Sequence, residues 1–180
     1  NRGDCLSYLG IARELSAYFN TSVLVPNPTE ALPQAQTTGL PVSSDACDYY
    51  SGCTIEAIQI MDSPAWMQEF LTKSGLRPIN NVVDVTNILL LEFGQPLHAF
   101  DADKLQGDII VRESRPNEAI KTLDGIDRIL PENTLVIADT SGPIALAGIT
   151  GGASSEISST TGKIFLECAH FSHKSIRKTL

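Results

Sequence analysis

The chain has 180 residues, which suits one domain or two closely joined lobes, and its 42% hydrophobic and 19% charged residues are those of a globular protein. No apolar run approaches the roughly 20 residues of a membrane span, and no signal-peptide pattern opens the chain, so we expect a cytoplasmic protein. The net charge of −8 argues against a domain that grips nucleic acid alone, because such domains carry a basic face.

The first hundred residues are predicted to be mostly helical. A helix is expected over 4–19, with Asp4 as its N-cap and Asn20 at its end. Four prolines make 26–41 an extended linker, and 49–60 is strand-like. The polar start without Met indicates a fragment of a longer chain.

Two further helices are predicted from their end signals. Ser63-Pro64 is an N-cap followed by proline at the first helical position, and Gly75 stops this helix. Its apolar stripe is Trp66, Met67, Phe70 and Leu71. The next helix covers 84–93 and stops at Gly94.

The second part of the chain alternates like a series of strands. Asp124-Gly125 is a hairpin signal, and the tail 174–180 resembles the start of a helix. This order, with a helical first part (1–100) and a strand-rich second part (105–171), predicts an α+β fold. The predicted strands are 108–114, 119–123, 127–130, 135–138, 144–149 and 163–168.

Three features could carry chemistry. The segment 75–101 contains many polar residues, His98 among them, between apolar neighbours. A polar group in such surroundings needs a hydrogen-bond partner, so each of these residues could simply cap a helix, form a turn or bridge two segments. The glycine-rich run 147–152 is a turn or a pocket wall. Glu167 shares a strand face with Phe165, and is either solvated or a buried acceptor.

No metal site is predicted. The four cysteines, Cys5, Cys47, Cys53 and Cys168, match no zinc spacing and are expected to be reduced and mostly buried. Cys168, His170 and His173 form a CxHxxH cluster, but a closed zinc site would need further ligands.

Six segments of the chain carry a recognisable pattern: in order, they are NRGDCLSYLGIARELSA, GLRPINNVVDVTNILLLEFGQPLHAFDADKLQG, TLDG, LVIAD, ALAGITGG and FLECAHFS. Together they resemble the central region of bacterial phenylalanyl-tRNA synthetase beta subunits, and residues 26–60 match it least. The resemblance implies that 1–180 is the editing domain, a layered β/β/α form of the α+β class.

The resemblance also implies residue roles. Arg77, Thr86, Asn87 and His98 match editing-pocket positions. Gly148 and Gly151 match a glycine wall, and Glu167 matches the acid that recognises the hydroxyl of tyrosine. Tyrosine cannot be excluded from a phenylalanine site by size alone, so a second site that selects for the hydroxyl is useful. We expect His98 and Asn87 to position ester and water, and Arg77, Thr86, Gly148, Gly151 and Glu167 to bind the substrate.

The expected activity is hydrolysis of mischarged Tyr-tRNA(Phe) by a phenylalanine–tRNA ligase. Its partners would be the acyl end of tRNA(Phe), the tyrosine moiety and the synthetase alpha subunit of the parent heterotetramer. No cofactor is implied in this domain, while the parent enzyme uses ATP and magnesium. Two alternatives stay open: a non-catalytic structural or tRNA-presenting module of the same synthetase, and a free-standing aminoacyl-tRNA deacylase.

Overall fold

The computed structural model describes residues 2–25 and 38–179, which fall into two compact units. One unit contains the helical residues 2–25 and 61–97, and the other contains 38–60 and 98–179. The predicted linker over 26–41 lies for the most part outside the described residues. The α+β class is confirmed. None of the described helices is long and apolar enough to cross a membrane.

Three helices build the first unit: α1 (Tyr8–Phe19), α2 (Ala65–Lys73) and α3 (Asn81–Phe93). Both α1 and α2 pack on α3. Met67 and Leu71 lie one turn apart on α2 and are buried together with Ile88 of α3. The predicted stripe is wrong at Trp66, which is 62% exposed, because only one side of α2 faces the core.

The predicted helix ends are confirmed at the glycines and corrected at the starts. Gly94 takes a left-handed conformation after α3, as does Asn20 after α1. Asp4 does not cap α1, because it belongs to a separate 3-10 turn, and the hydroxyl of Ser7 accepts from the Gly10 N–H instead. Asn80 caps α3, which therefore begins three residues before the predicted start at Asp84.

Ser63 is not the N-cap of α2, because its hydroxyl is used elsewhere. Ser63 Oγ donates to the fully buried Asp84 at 2.5 Å, and the Ile79 N–H donates to the same carboxylate at 2.8 Å. Asp84 thus ties the segment before α2 and the turn before α3 to one buried acceptor.

Within the described residues, the second unit is built from ten strands and one helix. They are β1 (Thr38–Gly39), β2 (Cys47–Glu56), β3 (Leu97–Asp101), β4 (Ile110–Glu113), β5 (Ala119–Lys121), β6 (Asp127–Ile129), β7 (Leu135–Ala138), β8 (Pro143–Leu146), β9 (Thr150–Gly151), β10 (Lys163–Phe171) and α4 (His173–Thr179). One sheet has the order β1-β2-β10-β3, another β4-β7-β8-β9, and β5 pairs with β6. The strand pairs β1–β2, β2–β10, β4–β7, β5–β6, β7–β8 and β8–β9 are antiparallel. The largest buried cluster includes Phe100, Val111, Leu135 and Ile137.

Strand boundaries differ from the predictions where the backbone turns. β2 ends at Glu56 because Ala57 has a positive φ of 56°, and β8 ends at Leu146 shortly before Gly148, whose φ is 69°. The hairpin at Asp124-Gly125 is confirmed. The strand β3, which carries His98, had not been predicted.

Candidate functional site

The candidate site of the second unit is built around two side chains, Tyr50 on β2 and Glu167 on β10. Glu167 lies opposite Gly52 and Ala169 lies opposite Tyr50, so the two side chains are diagonal neighbours on the same sheet face. The Tyr50 hydroxyl donates to Glu167 Oε2 at 3.3 Å. Both side chains are buried, with exposed fractions of 3% and 6%. Glu167 is therefore a buried acid and not a solvated surface carboxylate.

An aromatic side chain fills the space beside this acid. Gly52 faces Glu167 across the strands and has no side chain, and the Phe165 ring covers its backbone. A Cβ added at Gly52 would stand 1.9 Å from Phe165 Cζ, so only glycine allows the ring to lie there. Phe165 in turn packs against Phe100, with ring centroids 6.5 Å apart. Glu167 therefore has an apolar ring as its neighbour on the same face of the sheet.

Burial decides the ionisation of Glu167. Desolvation raises its pKa to about 8, and the hydrogen bond from Tyr50 opposes part of this effect. The same burial, with Glu167 beside it, raises the pKa of the Tyr50 hydroxyl. At neutral pH Glu167 is mostly a neutral acid, which can donate one hydrogen bond as well as accept others.

His98 lies on β3 beside a glycine backbone. Its ring meets Phe100 edge-on at a centroid distance of 4.5 Å. A Cβ added at Gly151 would stand 2.7 Å from both Cε1 and Nε2 of His98, so the imidazole rests directly on the Gly151 backbone. The structure therefore brings together two residues that were predicted to share a site.

The His98 imidazole is neutral at physiological pH. Its pKa is lowered because burial disfavours the charged ring. Its nitrogens have no hydrogen-bond partner among the described residues, yet neither is sealed from solvent. A neutral, half-buried imidazole of this kind can accept a proton or orient a water molecule.

Gly148 has different neighbours. Its φ of 69° places it in a left-handed turn, and a Cβ there would meet Ile176 at 2.6 Å and Phe171 at 3.3 Å. It is packed by side chains near the start of α4, and its predicted role as a pocket wall stays a prediction.

The remaining predicted site residues belong to the helical unit. Arg77 is exposed between α2 and α3 and has no ion pair within the described ranges. Thr86 is buried, and its hydroxyl donates to the Val83 carbonyl of the same helix at 2.7 Å. Asn87 is half-buried on α3. Their roles in binding and in positioning the ester stay predictions.

The thiols and acids form no buried cluster that could hold a metal within residues 2–25 and 38–179. Asp4, Cys5 and Glu14 come within reach of one another at the surface, where Arg2 pairs with both carboxylates. His170 lies against Asp48 at 3.0 Å on an exposed face. No cysteine is in a disulfide, and of the four only Cys47 is fully buried.

Sequence reasoning missed two members of the site, Tyr50 and Gly52. Both lie in the segment where the family resemblance was weakest, so the resemblance assigned neither residue a role. A glycine inside an alternating strand often marks a close approach of other atoms, and that signal at Gly52 could have been used.

The comparisons with known proteins place the chain in a family. The B3/4 domain family matches residues 46–180, so the chain belongs to that family. It is also similar over 99% of its length to phenylalanine–tRNA ligase beta subunits, at 45% identity to that of Fusobacterium nucleatum and 47% to that of Moorella thermoacetica. The chain spans 23% of the length of these curated relatives.

A solved structure has the same fold. An N-terminal fragment of the phenylalanyl-tRNA synthetase beta subunit from Pyrococcus horikoshii superposes with a TM-score of 0.57 over 97% of this chain and 54% of that one. Sequence identity to it is 14%, so this likeness bears on the fold alone. The resemblance first drawn from the sequence motifs is confirmed.

Proposed function

We propose that this chain is the editing domain of a phenylalanyl-tRNA synthetase beta subunit and hydrolyses tyrosine wrongly attached to tRNA(Phe). Membership of the B3/4 family and similarity to beta subunits support the parent enzyme. The observation that carries the activity is Glu167, an acid buried beside Phe165 and Tyr50 on one sheet face. Burying an acid in apolar surroundings costs stability, so an acid in this position favours a binding role.

Discrimination between tyrosine and phenylalanine would depend on the second carboxyl oxygen of Glu167, Oε1. Oε2 already accepts from Tyr50, and Oε1 has no hydrogen-bond partner among the described residues. The hydroxyl of a tyrosyl ester can pair with Oε1, whether the acid is neutral or ionised. Phenylalanine would leave Oε1 desolvated and unpaired, and such a site can discriminate by about 10⁴-fold. Correct Phe-tRNA would thereby escape hydrolysis.

Hydrolysis needs a positioned water and stabilisation of the oxyanion. The neutral imidazole of His98 would orient the water or the terminal ribose hydroxyl of the tRNA, with Asn87 holding the ester. Backbone amides near Gly148 and Gly151 would stabilise the oxyanion, and Arg77 and Thr86 would bind the substrate. No cofactor takes part in this step, and ATP and magnesium would serve only aminoacylation, with the alpha subunit as partner.

The test is hydrolysis of Tyr-tRNA(Phe) by the full-length synthetase. We expect a rate loss of about 100-fold for His98→Ala, as for a lost proton-transfer group, and of tenfold or more for Glu167→Ala. Glu132→Ala, an exposed acid on the same unit, is the matched control and should leave the rate unchanged. Phenylalanylation should be retained in all three. Unchanged hydrolysis in both His98→Ala and Glu167→Ala would contradict the proposed editing function.

One observation favours a second candidate, a non-catalytic module of the same synthetase. Tyr50 already supplies a hydroxyl to Glu167, which is also what a purely structural buried pair requires. For such a module, Glu167→Ala would lower the stability of the protein while the wild-type synthetase showed no hydrolysis of Tyr-tRNA(Phe).

A further inference from the structure

We propose that Tyr50 is the positioning residue for Glu167, holding one carboxyl oxygen so that the other meets the hydroxyl of the tyrosyl substrate. This inference rests on the proposed editing function and adds a specificity-determining residue to it. Its basis is the hydrogen bond from Tyr50 Oη to Glu167 Oε2 between two buried side chains on neighbouring strands.

A buried glutamate needs such a partner because its side chain has several rotatable bonds. The residue directly opposite Glu167 is Gly52, which has no side chain to offer a hydrogen bond, and the Phe165 ring lies over that glycine. Among the described residues, Tyr50 is the single hydrogen-bond donor to the Glu167 carboxyl. Without it the carboxyl would lose its fixed direction, and ordering it would have to accompany substrate binding.

The sheet explains why Tyr50 can hold this orientation. Its own ring is 3% exposed and belongs to the main buried cluster of the unit, together with Phe100 and Phe165. The antiparallel register then fixes the phenol at a diagonal position to Glu167. A rigid ring with a hydroxyl at its tip is therefore a better positioning group than a flexible polar side chain.

The two oxygens of the carboxyl would then have separate tasks. Oε2 stays with Tyr50, and Oε1 is left for the incoming ligand hydroxyl. The preorganised carboxyl lowers the cost of binding a tyrosyl group, and it gives no such help to phenylalanine, which has no hydroxyl to pair. Tyr50 thus contributes to the selectivity for tyrosine without contacting the reacting ester.

The test is a double-mutant cycle in the full-length synthetase. Tyr50→Phe keeps the ring and removes only the hydroxyl, and we expect it to lower kcat/KM for Tyr-tRNA(Phe) hydrolysis about tenfold, mainly through KM. In a Glu167→Ala background the same substitution should have no further effect. Tyr49→Phe is the matched control, because Tyr49 is the neighbouring tyrosine on β2 and is 57% exposed.

An infrared measurement reads the pair independently of activity. The carbonyl band of protonated Glu167, identified by its loss in Glu167→Gln, should shift upward in Tyr50→Phe and stay in place in Tyr49→Phe. A band that does not move, or a loss of hydrolysis of equal size with and without Glu167, overturns the positioning role.

The remaining outcomes separate this inference from the proposed function. Hydrolysis that depends on Glu167 but not on the Tyr50 hydroxyl overturns the Tyr50 inference alone. A wild-type synthetase that leaves Tyr-tRNA(Phe) intact overturns the editing function, and the positioning role falls with it.

Discussion

At the scale of single residues, two glycines make room for the side chains of the candidate site. Gly52 lies under the Phe165 ring, and Gly151 lies under the His98 imidazole. Glycine is needed at these positions for space and not for backbone conformation, since neither has a positive φ. We therefore predict that adding a methyl group at either glycine displaces the ring that lies over it.

Gly151→Ala should displace His98. The new Cβ would stand 2.7 Å from the imidazole, and the ring can yield only by leaving its place on the strand. We expect Tyr-tRNA(Phe) hydrolysis by the full-length synthetase to fall to nearly the level of His98→Ala, with little change in phenylalanylation. Gly162→Ala is the control, because a Cβ there meets nothing within 4 Å. Hydrolysis equal to wild type in Gly151→Ala would contradict the placement of His98.

Glu167 should make stability depend on pH. Its folded pKa of about 8 lies above the ordinary value of 4.5, so between these values the folded state binds a proton that the unfolded state has lost. The free energy of unfolding therefore falls as pH rises through this window, by about 1 kcal/mol per pH unit, and the contribution is present in full below pH 4.5.

Urea unfolding of the chain between pH 5 and 8 checks this dependence. His98 acts in the opposite sense, because its lowered pKa makes stability rise with pH up to about 6.5. Comparison with Glu167→Gln isolates the acid, since His98 is common to both proteins. As pH rises, the unfolding free energy of the wild type should fall steadily relative to that of Glu167→Gln. Parallel profiles would show that Glu167 ionises normally.

At the scale of elements, the helical unit depends on one buried acceptor. Asp84 on α3 accepts from Ser63, just before α2, and from the Ile79 backbone in the turn between the two helices. Asn80 at the start of α3 adds a cap that accepts from Val82 and Val83. The start of α3 is thus defined by side chains outside the apolar pattern of the helix, which is why the prediction placed it too late.

Asp84→Ala should destabilise the helical unit by about 2–4 kcal/mol, because it leaves the buried Ser63 hydroxyl without its acceptor and removes the bond to the Ile79 N–H. The loss would appear as an earlier helical transition in urea, followed by far-UV circular dichroism. Asp62→Ala removes an exposed acid near the same helix and should change the midpoint by little. Equal midpoints for the two variants would mean that Asp84 does not organise the unit.

At the scale of the whole molecule, acidic side chains outnumber basic ones, which bears on the proposed encounter with tRNA. The sequence has 21 acidic and 13 basic residues, and its net charge of −8 opposes a polyanion. Exposed basic side chains do occur together on α4, at Lys174, Arg177 and Lys178, but the chain as a whole repels phosphate. A domain of this charge would receive the acyl end of a tRNA that is held elsewhere.

The isolated chain should therefore bind tRNA(Phe) weakly or undetectably at physiological salt, whereas we expect the full-length subunit in the proposed synthetase to bind it. A gel-shift titration of both with the same tRNA compares them directly. A shift of the isolated chain at low micromolar concentration would contradict the charge argument.

Much of the fold follows from local sequence signals. Gly94 and Asn20 end their helices, Asp124-Gly125 turns a hairpin, and Leu135–Ala138 is the predicted strand without change. Each of these depends on neighbours within a few residues, where backbone sterics and hydrophobic periodicity act directly. Signals of the same kind misplaced the cap at Asp4, because a nearby Ser7 competes for the same task.

By itself, the sequence determined the α+β class and the family, since both are carried by ordered motifs and local patterns, and it nominated site residues whose roles stay predictions. Only the tertiary structure decided which residues meet. Tyr50 and Glu167 are 117 positions apart and are joined by the register of β2 and β10, and His98 is seated on Gly151 by the packing of different strands. Such contacts arise from strand pairing over long separations, and the burial that raises the pKa of Glu167 exists only after the sheet has formed.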